Sequence, residues 1–436
     1  MLLAILEGLP AGVPVCLDAV DRKLRQRQLG PGRGGRQRIE QDHAEFVAGL
    51  RAGETLGSPI GIIVRNRDWE NWRGVLGAGV GEVEPAQAEA RALYRPRPGH
   101  ADLAGALKYD RRDLRDVLER ASARETAARV AVGAICLEFL AALGVRVLGR
   151  VVALGPVQAG DPSPGTSFAD LAAAVEASDC RCADAGATAA MHEAIRVATL
   201  ARDTLGGLIE VVATGVPVGL GSYAASDRRL DGRLAAALMS IQAMKGVEVG
   251  MGQATAALRG SAVHDEILVA DGQHGAEAPG GVAGAAGAAG PDGMADREGR
   301  AGPEDDDSAA AGLRHAPEMV AAGESVPRAG RYRRPTNRAG GIEGGVSNGE
   351  QVVVRVAMKP IPTLLKPLRS ADMRSGAVIA AGYERSDITS VPAASVVAEG
   401  VVAFVLAQAM LEKFGGDSLR ECRRNLDGYL RQVAER

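Results

Sequence analysis

Arginine is concentrated in a glycine-rich segment near the start of the sequence. The segment reads Arg25-Gln-Arg27-Gln-Leu-Gly-Pro-Gly-Arg33-Gly-Gly-Arg36-Gln-Arg38, and its glycines leave the chain free to bend. Guanidinium groups bind phosphate and carboxylate through paired hydrogen bonds, and the backbone amides of such a loop add donors. The glycine spacing fits neither a Walker loop nor a dinucleotide fingerprint. The segment therefore indicates an anion site, while a solvated basic turn and an RGG-like RNA contact stay open as alternatives.

A histidine stands in a stiff segment, Arg95-Pro-Arg97-Pro-Gly99-His100-Ala-Asp102. The prolines at 96 and 98 fix the chain in an extended form, and Gly99 then permits a tight turn. Such a segment can hold His100 and the two arginines Arg95 and Arg97 in one place, and histidine is the natural proton donor near neutral pH. A purely structural histidine is the alternative interpretation.

Three further segments combine charged residues with small or stiff neighbours. They are Glu119-Arg120-Ala121-Ser122-Ala123-Arg124-Glu125-Thr126, residues 337–349 followed by Lys359-Pro-Ile-Pro-Thr363, and Glu384-Arg385-Ser386-Asp387. Arg120 and Arg124 are four residues apart and share a helix face. Lys359 and Thr363 offer a cation and a hydroxyl to a phosphate, and Asp387 is a candidate acid or base. Salt bridges, a surface turn and a local ion pair are the competing interpretations of these segments.

Predicted strands and helices, which must hold these charged segments in place, alternate along the chain. Apolar and β-branched runs predict strands over residues 1–7, 60–65, 145–154, 207–215 and 352–359. Helical periodicity and terminal signals predict helices over residues 18–28, 112–143, 192–204, 230–245 and 393–415. Strands interleaved with helices throughout the chain predict an α/β or α+β class.

One stretch departs from this pattern. Residues 271–328 contain an Ala/Gly-rich run at 280–290 and an acidic run at 304–307, with almost no large apolar residues. Such a composition cannot bury enough surface to offset chain entropy, so we expect a disordered surface insertion, with a regulatory or partner-binding segment as the alternative. The parts at 1–270 and 329–420 are then two halves of a single large domain, followed by a C-terminal tail at 421–436.

The overall composition narrows the classes of partner. Formal charge is −3, from 51 basic and 54 acidic residues, so there is no net field to attract nucleic acid or an anionic membrane. No apolar run reaches transmembrane length, and the N-terminus lacks the pattern of a signal peptide. The five scattered cysteines indicate reduced thiols. We expect a cytoplasmic protein with a small-molecule ligand and without a nucleic-acid or membrane partner.

In this order and spacing, the five charged segments resemble chorismate synthase. Residues 55–60, 68–72, 206–221 and 235–250 are also similar to that family, so the resemblance runs from Met1 to about Leu419, apart from the insertion. It implies a β-α-β sandwich and a homotetramer. It implies a lyase that converts 5-enolpyruvylshikimate 3-phosphate to chorismate and phosphate by a 1,4-anti elimination, in the shikimate pathway of aromatic amino acid biosynthesis. It also implies a flavoprotein that requires reduced FMN, with NADPH as reductant in members that reduce their own flavin.

The resemblance also implies roles for individual residues. The substrate pocket would be lined by Arg27, Arg33, Arg36, Arg124 and Arg385, with Arg97 close by. His100 would donate a proton to the reduced flavin or stabilise its anionic form, and Asp387 would help the flavin take the C6 proton. Arg27 and Arg33 would also contact NADPH. Flavin contacts would come from Arg120, Ala121, Ser122, Gln242, Ala243, Gly344, Lys359, Pro360, Ile361, Pro362, Thr363 and Arg385. No metal is implied.

The sequence departs from the family at its start. The family begins with a strand leading into Gly-Glu-Ser-His-Gly, whose histidine sits by the leaving phosphate. Here Met1 aligns just after that motif, and Ser-His-Gly occurs nowhere; of the six histidines, only His100 falls in a family catalytic motif. We favour a misplaced start site over an impaired flavin- or phosphate-binding homologue. A lost first strand is expected to leave sheet pairing incomplete.

Overall fold

The computed structural model describes residues 1–34, 41–163, 165–269, 330–382 and 386–436. The strands in these ranges are β1 (Leu2–Leu6), β2 (Ala44–Ala48), β3 (Leu50–Arg51), β4 (Glu54–Thr55), β5 (Ile60–Val64), β6 (Arg146–Leu154), β7 (Val157–Gln158), β8 (Gly207–Thr214), β9 (Met244–Val249), β10 (Leu268–Val269), β11 (Tyr332–Arg333), β12 (Ile342–Glu343), β13 (Val346–Ser347), β14 (Val352–Met358), β15 (Arg369–Ala371) and β16 (Val378–Ala380). The α-helices are α1 (Leu17–Gln28), α2 (Arg73–Leu76), α3 (Pro85–Arg91), α4 (Asp102–Tyr109), α5 (Arg115–Ala121), α6 (Thr126–Ala142), α7 (Phe168–Ala177), α8 (Ala185–Leu200), α9 (Leu230–Met239), α10 (Gly260–Val263), α11 (Val391–Phe414) and α12 (Leu419–Ala434).

Two antiparallel sheets enclose a layer of helices. The smaller sheet has the order β1-β5-β2 and the larger one β7-β6-β8-β14-β9. Helices α1, α6 and α11 pack on one another between them; α6 contacts β1 and β5, while α11 contacts β6 and β8. Apolar residues of both sheets and of these helices belong to one continuous core. This arrangement confirms the predicted α+β class and β-α-β sandwich.

The helical layer is tight where α6 crosses α11. A Cβ atom on Gly133 would lie 2.4 Å from the Cα of Gly400, which no real Cβ contact permits. Glycine at this crossing therefore lets the two backbones touch. The crossing holds α6 in place, and with it the segment before α6 that carries Arg124.

Within the described ranges one helix, α11, is long and apolar enough to cross a membrane. This corrects the prediction that no apolar run reaches that length. In the structure 83% of its most apolar 18-residue window is buried. Packing against α6, β6 and β8 accounts for its composition, because a helix covered by protein on all sides is apolar all round.

The predicted helix over residues 112–143 is wrong as a single element. It is divided into α5 and α6 by the 3₁₀ turn Ala123–Glu125. Ser122 takes an extended conformation, and its hydroxyl accepts a hydrogen bond from the backbone N–H of Arg124 at 3.3 Å. Serine competes with the helix for backbone hydrogen bonds in this way, so it ends one helix and starts the next.

Two other predicted helices differ from the structure. In residues 230–245 the helix ends at Met239, and the residues from Met244 join β14 as strand β9, since sheet pairing outweighs a weak helical pattern. The predicted helix at 192–204 instead begins at Ala185, where Asp184 caps it by accepting from the Ala187 N–H at 2.9 Å. The remaining predicted strands and helices are confirmed close to their predicted bounds. The predicted insertion at 271–328 lies outside the described residues.

Candidate functional site

The last turn of α1 carries Arg27 into the interior, where 6% of the residue is exposed. Its Nε donates to the Thr126 hydroxyl at 2.9 Å, its Nη2 donates to the Ala123 carbonyl at 3.0 Å, and its Nη1 lies 3.2 Å from Oδ2 of Asp42. Burial lowers the pKa of Arg27 to about 10, although Asp42 opposes this effect. The guanidinium is therefore fixed in place by the protein, in surroundings that favour an additional negative charge.

Asp42 holds a second arginine beside the first. Its side chain is fully buried, and its Oδ1 accepts a hydrogen bond from Nη1 of Arg124. Arg124 also donates from Nη2 to the Arg65 carbonyl at 3.1 Å. Two guanidinium groups at such close range repel each other, and the shared carboxylate offsets that repulsion. Sequence analysis missed Asp42; the signal available was an acid placed directly after an arginine-rich loop.

Arg33 and Asp387 form a second ion pair, with 2.8 Å between Nη1 and Oδ2. The Ser390 hydroxyl accepts from Nη1 of Arg33 and donates to Oδ2 of Asp387, both at 2.9 Å. The backbone N–H of Gly34 donates to Oδ1 at 2.6 Å. A Cβ at Gly34 would lie 2.9 Å from the Ser386 carbonyl oxygen, so the loop needs glycine there to approach Asp387.

The Nε atom of Arg33 is buried and has no hydrogen-bond partner among the described residues. Burial also lowers the pKa of Arg33, and Asp387 raises it. A buried donor without a partner costs about 1–3 kcal/mol, so an oxygen of an anionic ligand at this atom would be stabilising. We call Arg27, Arg33, Asp42, Arg124 and Asp387 the arginine cluster.

The start of α4 carries Asp102, which is 2% exposed. Its Oδ2 accepts from the backbone N–H of Arg97 at 3.0 Å and from Nε of the same residue at 2.8 Å. Its Oδ1 accepts from Nη2 of Arg97 at 3.0 Å and from Nδ1 of His100 at 2.5 Å. Burial raises the pKa of Asp102, but the hydrogen bonds from His100 and Arg97 outweigh that effect and hold this pKa well below its usual range. The stiff segment thus brings His100, Arg97 and Asp102 together, whereas Arg95 is exposed; sequence analysis did not single out Asp102.

The segment at 359–363 completes this second group. Nη1 of Arg97 donates to the buried Thr363 hydroxyl at 3.1 Å, and the ammonium of Lys359 donates to the carbonyl of Gly99. Burial and the nearby charge of Lys245 lower the pKa of Lys359. We call Arg97, His100, Asp102, Lys359 and Thr363 the histidine cluster.

Gln242 and Ala243 connect the two clusters. The backbone N–H of Lys359 donates to the Ala243 carbonyl at 3.0 Å, and Nε2 of Gln242 donates to Glu125 at 2.7 Å. Glu125 lies in the 3₁₀ turn whose first residue, Ala123, contacts Arg27. The Oε1 atom of Gln242 is buried and has no hydrogen-bond partner within the described ranges. A ligand that presents a hydrogen-bond donor would satisfy it.

A cavity of about 910 Å³ opens between α4 and α5. Arg120 and Ala121 line it together with Ala101, the neighbour of His100. Its volume lies in the range of small-molecule sites. Of the predicted flavin segment, Arg120 and Ala121 therefore border a space large enough for a small molecule.

Other predicted residues are placed differently. Gly344 lies in the turn between β12 and β13, where its carbonyl accepts from Arg229 at 3.1 Å; no contact that the structure describes joins it to either cluster. The Ile361 carbonyl accepts from the Thr204 hydroxyl at 2.8 Å, which fixes the backbone between Pro360 and Pro362. Arg36 and Arg385 lie outside the described residues, so their predicted roles stay predictions.

The fold and these two clusters define a class of protein: a β-α-β sandwich with buried arginines suited to an anion and a histidine suited to proton transfer. The family model for chorismate synthase matches residues 1–291 and 301–411. This chain therefore belongs to the chorismate synthase family.

Individual relatives agree with this membership. The chain is 50% identical to the chorismate synthase of Symbiobacterium thermophilum over 436 residues, covering 100% of this chain and 97% of that protein. It is 47% identical to the chorismate synthase of Pelobacter propionicus, covering 99% and 96%. A crystal structure of chorismate synthase superposes with a TM-score of 0.68 at 34% identity, covering 100% of this chain and 95% of that one. The resemblance and the prediction of an enzyme, a lyase of chorismate formation in the shikimate pathway, are confirmed.

Proposed function

We propose that this chain converts 5-enolpyruvylshikimate 3-phosphate to chorismate and phosphate by a 1,4-anti elimination that requires reduced FMN. The observation that carries the proposal is the charge balance of the arginine cluster. Three buried or half-buried guanidinium groups, on Arg27, Arg33 and Arg124, face the two carboxylates Asp42 and Asp387. The cluster is thus one negative charge short of neutrality. A substrate with a phosphate and two carboxylates carries more than that one negative charge, so the positively charged cluster attracts it.

The unpartnered Nε of Arg33 is the atom we expect to contact an anionic oxygen of the substrate. Arg27 uses three of its five N–H groups on described residues, and the other two are the ones we expect to face a ligand. Asp42 holds Arg27 and Arg124 side by side through contacts made within the protein. Such preorganisation lowers the cost of binding a polyanion.

The side chains of His100 and Asp387 are placed to transfer protons. His100, whose side chain is 18% exposed, donates a proton toward the flavin side of the site. Asp387 is placed to assist removal of the C6 proton, and Arg33, Ser390 and the Gly34 amide hold its carboxylate in one orientation. The C–O bond to phosphate breaks as the C6 proton leaves, and the arginines retain the released phosphate.

The residues present fit a flavin. The Gln242 oxygen, which has no partner among the described residues, would accept a hydrogen bond from a ring N–H, and Lys359 and Thr363 would offer a cation and a hydroxyl to a phosphate. Arg120, Ala121 and the cavity beside them give room for a ligand of that size. When bound, reduced FMN supplies the transient electron donation that eases the departure of phosphate.

The proposal is tested by turnover under anaerobic conditions. The purified chain is mixed with 5-enolpyruvylshikimate 3-phosphate and photochemically reduced FMN, and phosphate and chorismate are measured. We expect both products in equal amounts, and none with oxidised FMN. Because the family motif Gly-Glu-Ser-His-Gly does not occur in the sequence, a chain extended by that motif is assayed in parallel. Absence of phosphate release from both forms would refute the proposed reaction.

A protein that binds flavin and phosphate without turnover is the alternative. It predicts that FMN and substrate bind to both forms, as measured by calorimetry, while neither form releases phosphate. Binding accompanied by product formation excludes it.

NADPH is a separate proposal. Arg27 and Arg33 would bind NADPH if the protein reduces its own flavin, since both belong to the arginine cluster. The measurement is NADPH oxidation at 340 nm with FMN present and oxygen excluded. No FMN-dependent oxidation would mean that the flavin arrives already reduced.

We further propose a homotetramer. Leu3 and Ile5 are 63% and 65% exposed on the outer face of β1, and Val47 of the same sheet is 59% exposed. A grouped apolar face of this kind favours association. Light scattering of the full chain is expected to give a tetramer, and Leu3→Asp combined with Ile5→Asp a smaller species. A monomeric wild-type chain would refute the proposal.

We also propose a cytoplasmic location and a small anionic ligand, on the basis of the cysteines and the net charge. The five cysteines are free thiols in the structure, which suits a reducing cytoplasm. A net charge of −3 provides no overall field to attract RNA, so we expect the locally clustered arginines to bind a small anion instead. Retention of RNA at low salt with a steep salt dependence would contradict this second point.

A further inference from the structure

We infer that Asp102 is a positioning residue that keeps a hydrogen on Nδ1 of His100 and reserves Nε2 of that ring for proton exchange. This inference rests on the proposed function, which makes His100 the proton donor. It adds the atom through which the proton passes and the residue that selects this atom.

The first step concerns the bond between the two side chains. Nδ1 of His100 lies 2.5 Å from Oδ1 of Asp102. The hydrogen bonds from His100 and Arg97 keep the pKa of Asp102 well below its usual range, so the carboxyl group is ionised and can only accept. Nδ1 therefore carries the hydrogen in that bond. A second hydrogen on the ring, when present, is at Nε2.

The second step concerns Arg97. Its Nη2 is 3.2 Å from Nδ1 and 3.3 Å from Nε2 of His100. A nitrogen equally far from both ring nitrogens faces the ring, since an in-plane hydrogen bond would approach only one of them. Nη2 of Arg97 thus lies over the face of the imidazole and does not occupy the in-plane direction of Nε2. Its own orientation comes from three hydrogen bonds to Asp102 and one to Thr363.

The third step is what an amide would do in place of the carboxylate. The two donors at Oδ2 of Asp102 both belong to Arg97 and cannot become acceptors, whereas Oδ1 faces Nη2 of Arg97 and Nδ1 of His100, and a ring nitrogen can accept as well as donate. In Asp102→Asn the amide oxygen is therefore expected to take the Oδ2 position, which turns the NH₂ group toward Nδ1. That nitrogen must then accept, so the neutral ring carries its hydrogen at Nε2 and the imidazolium loses its counter-ion.

The test is nitrogen NMR of the full chain labelled with ¹⁵N-histidine. His100→Ala assigns the His100 signals by their loss. We expect Nδ1 of the wild-type ring to be the protonated nitrogen, with a low-field hydrogen, and Asp102→Asn to move the hydrogen to Nε2. Asp170→Asn is the matched control, because Asp170 also lies in the first turn of a helix but is exposed. An Asp102→Asn ring that keeps its hydrogen on Nδ1 would overturn the inference.

Turnover supplies a second readout. Asp102→Asn is expected to lower kcat by roughly 10²–10⁴-fold, as for loss of a general acid, with little change in FMN affinity. A purely structural role would instead lower the unfolding temperature and FMN affinity together and leave the tautomer unchanged. The NMR measurement needs no substrate, so it decides the role of Asp102 even if the wild-type chain releases no phosphate and the proposed reaction fails.

Discussion

The two clusters are each organised by a buried carboxylate, but the carboxylates have different partners. Asp42 accepts from Arg27 and Arg124, neither of which gives up a proton near neutral pH. Asp102 accepts from Arg97 and from His100, and histidine does release a proton near neutral pH. The first carboxylate holds positive charge in place for an anion. The second directs a proton to one atom of a ring.

The clusters also differ in how far apart their members lie in the sequence. Asp42 is 15 residues from Arg27 and 82 from Arg124. Asp102 is only 5 and 2 residues from its partners. The histidine cluster is therefore largely a property of one short segment, whereas the arginine cluster exists only in the folded chain. The substitutions below test this division, beginning with the largest expected effect.

His100→Ala should lower turnover by roughly 10²–10⁴-fold, because it removes the proposed general acid. Stability and FMN affinity should stay close to wild type if the cluster acts on the reaction alone. His264→Ala is the control, since His264 is exposed and outside both clusters. An unchanged rate of phosphate release would remove His100 from the reaction.

Asp42→Asn should lower the free energy of unfolding by about 3 kcal/mol, because it leaves two buried guanidinium groups without their shared counter-ion. Denaturant titration measures the change, with exposed Asp170→Asn as the control. Equal stability of the two variants would mean that the arginine cluster does not depend on Asp42.

Arg33→Lys should weaken substrate binding by roughly 30-fold, because it keeps the charge but removes the Nε donor and the planar fork. Calorimetry with the substrate and oxidised FMN measures the affinity. The exposed Arg196→Lys is the matched control. Equal affinity in the two variants would show that charge alone, rather than the geometry of the guanidinium, holds the substrate.

Gln242→Ala should weaken FMN binding by roughly tenfold, since it removes the hydrogen bond expected at the unpartnered oxygen. Fluorescence quenching of the flavin measures the affinity, and Gln253→Ala, at an exposed position, is the control. Unaltered FMN affinity would separate Gln242 from the flavin and leave it as a link between the clusters.

Much of the secondary structure could be predicted because apolar periodicity reports burial. Strands β6, β8 and β14 and helix α11 lie close to their predicted bounds for this reason. The errors arose where another contact overrode the local pattern. Ser122 ended a helix by capping the next turn, and β14 drew residues from Met244 onward into a strand.

The sequence by itself determined which chemistry was available: guanidinium groups on a flexible loop, and a histidine held two residues from a carboxylate by proline and glycine. Local spacing suffices for such a group, because a stiff backbone has few conformations. Only the tertiary structure decided that Gly34 meets Asp387 across a separation of 353 residues, and that Asp42 joins two arginines. Those contacts depend on how α1, α6 and α11 pack between the sheets. A turn can be predicted from a short stretch of sequence, but the shape of that buried interior cannot, because it depends on many distant residues packing together.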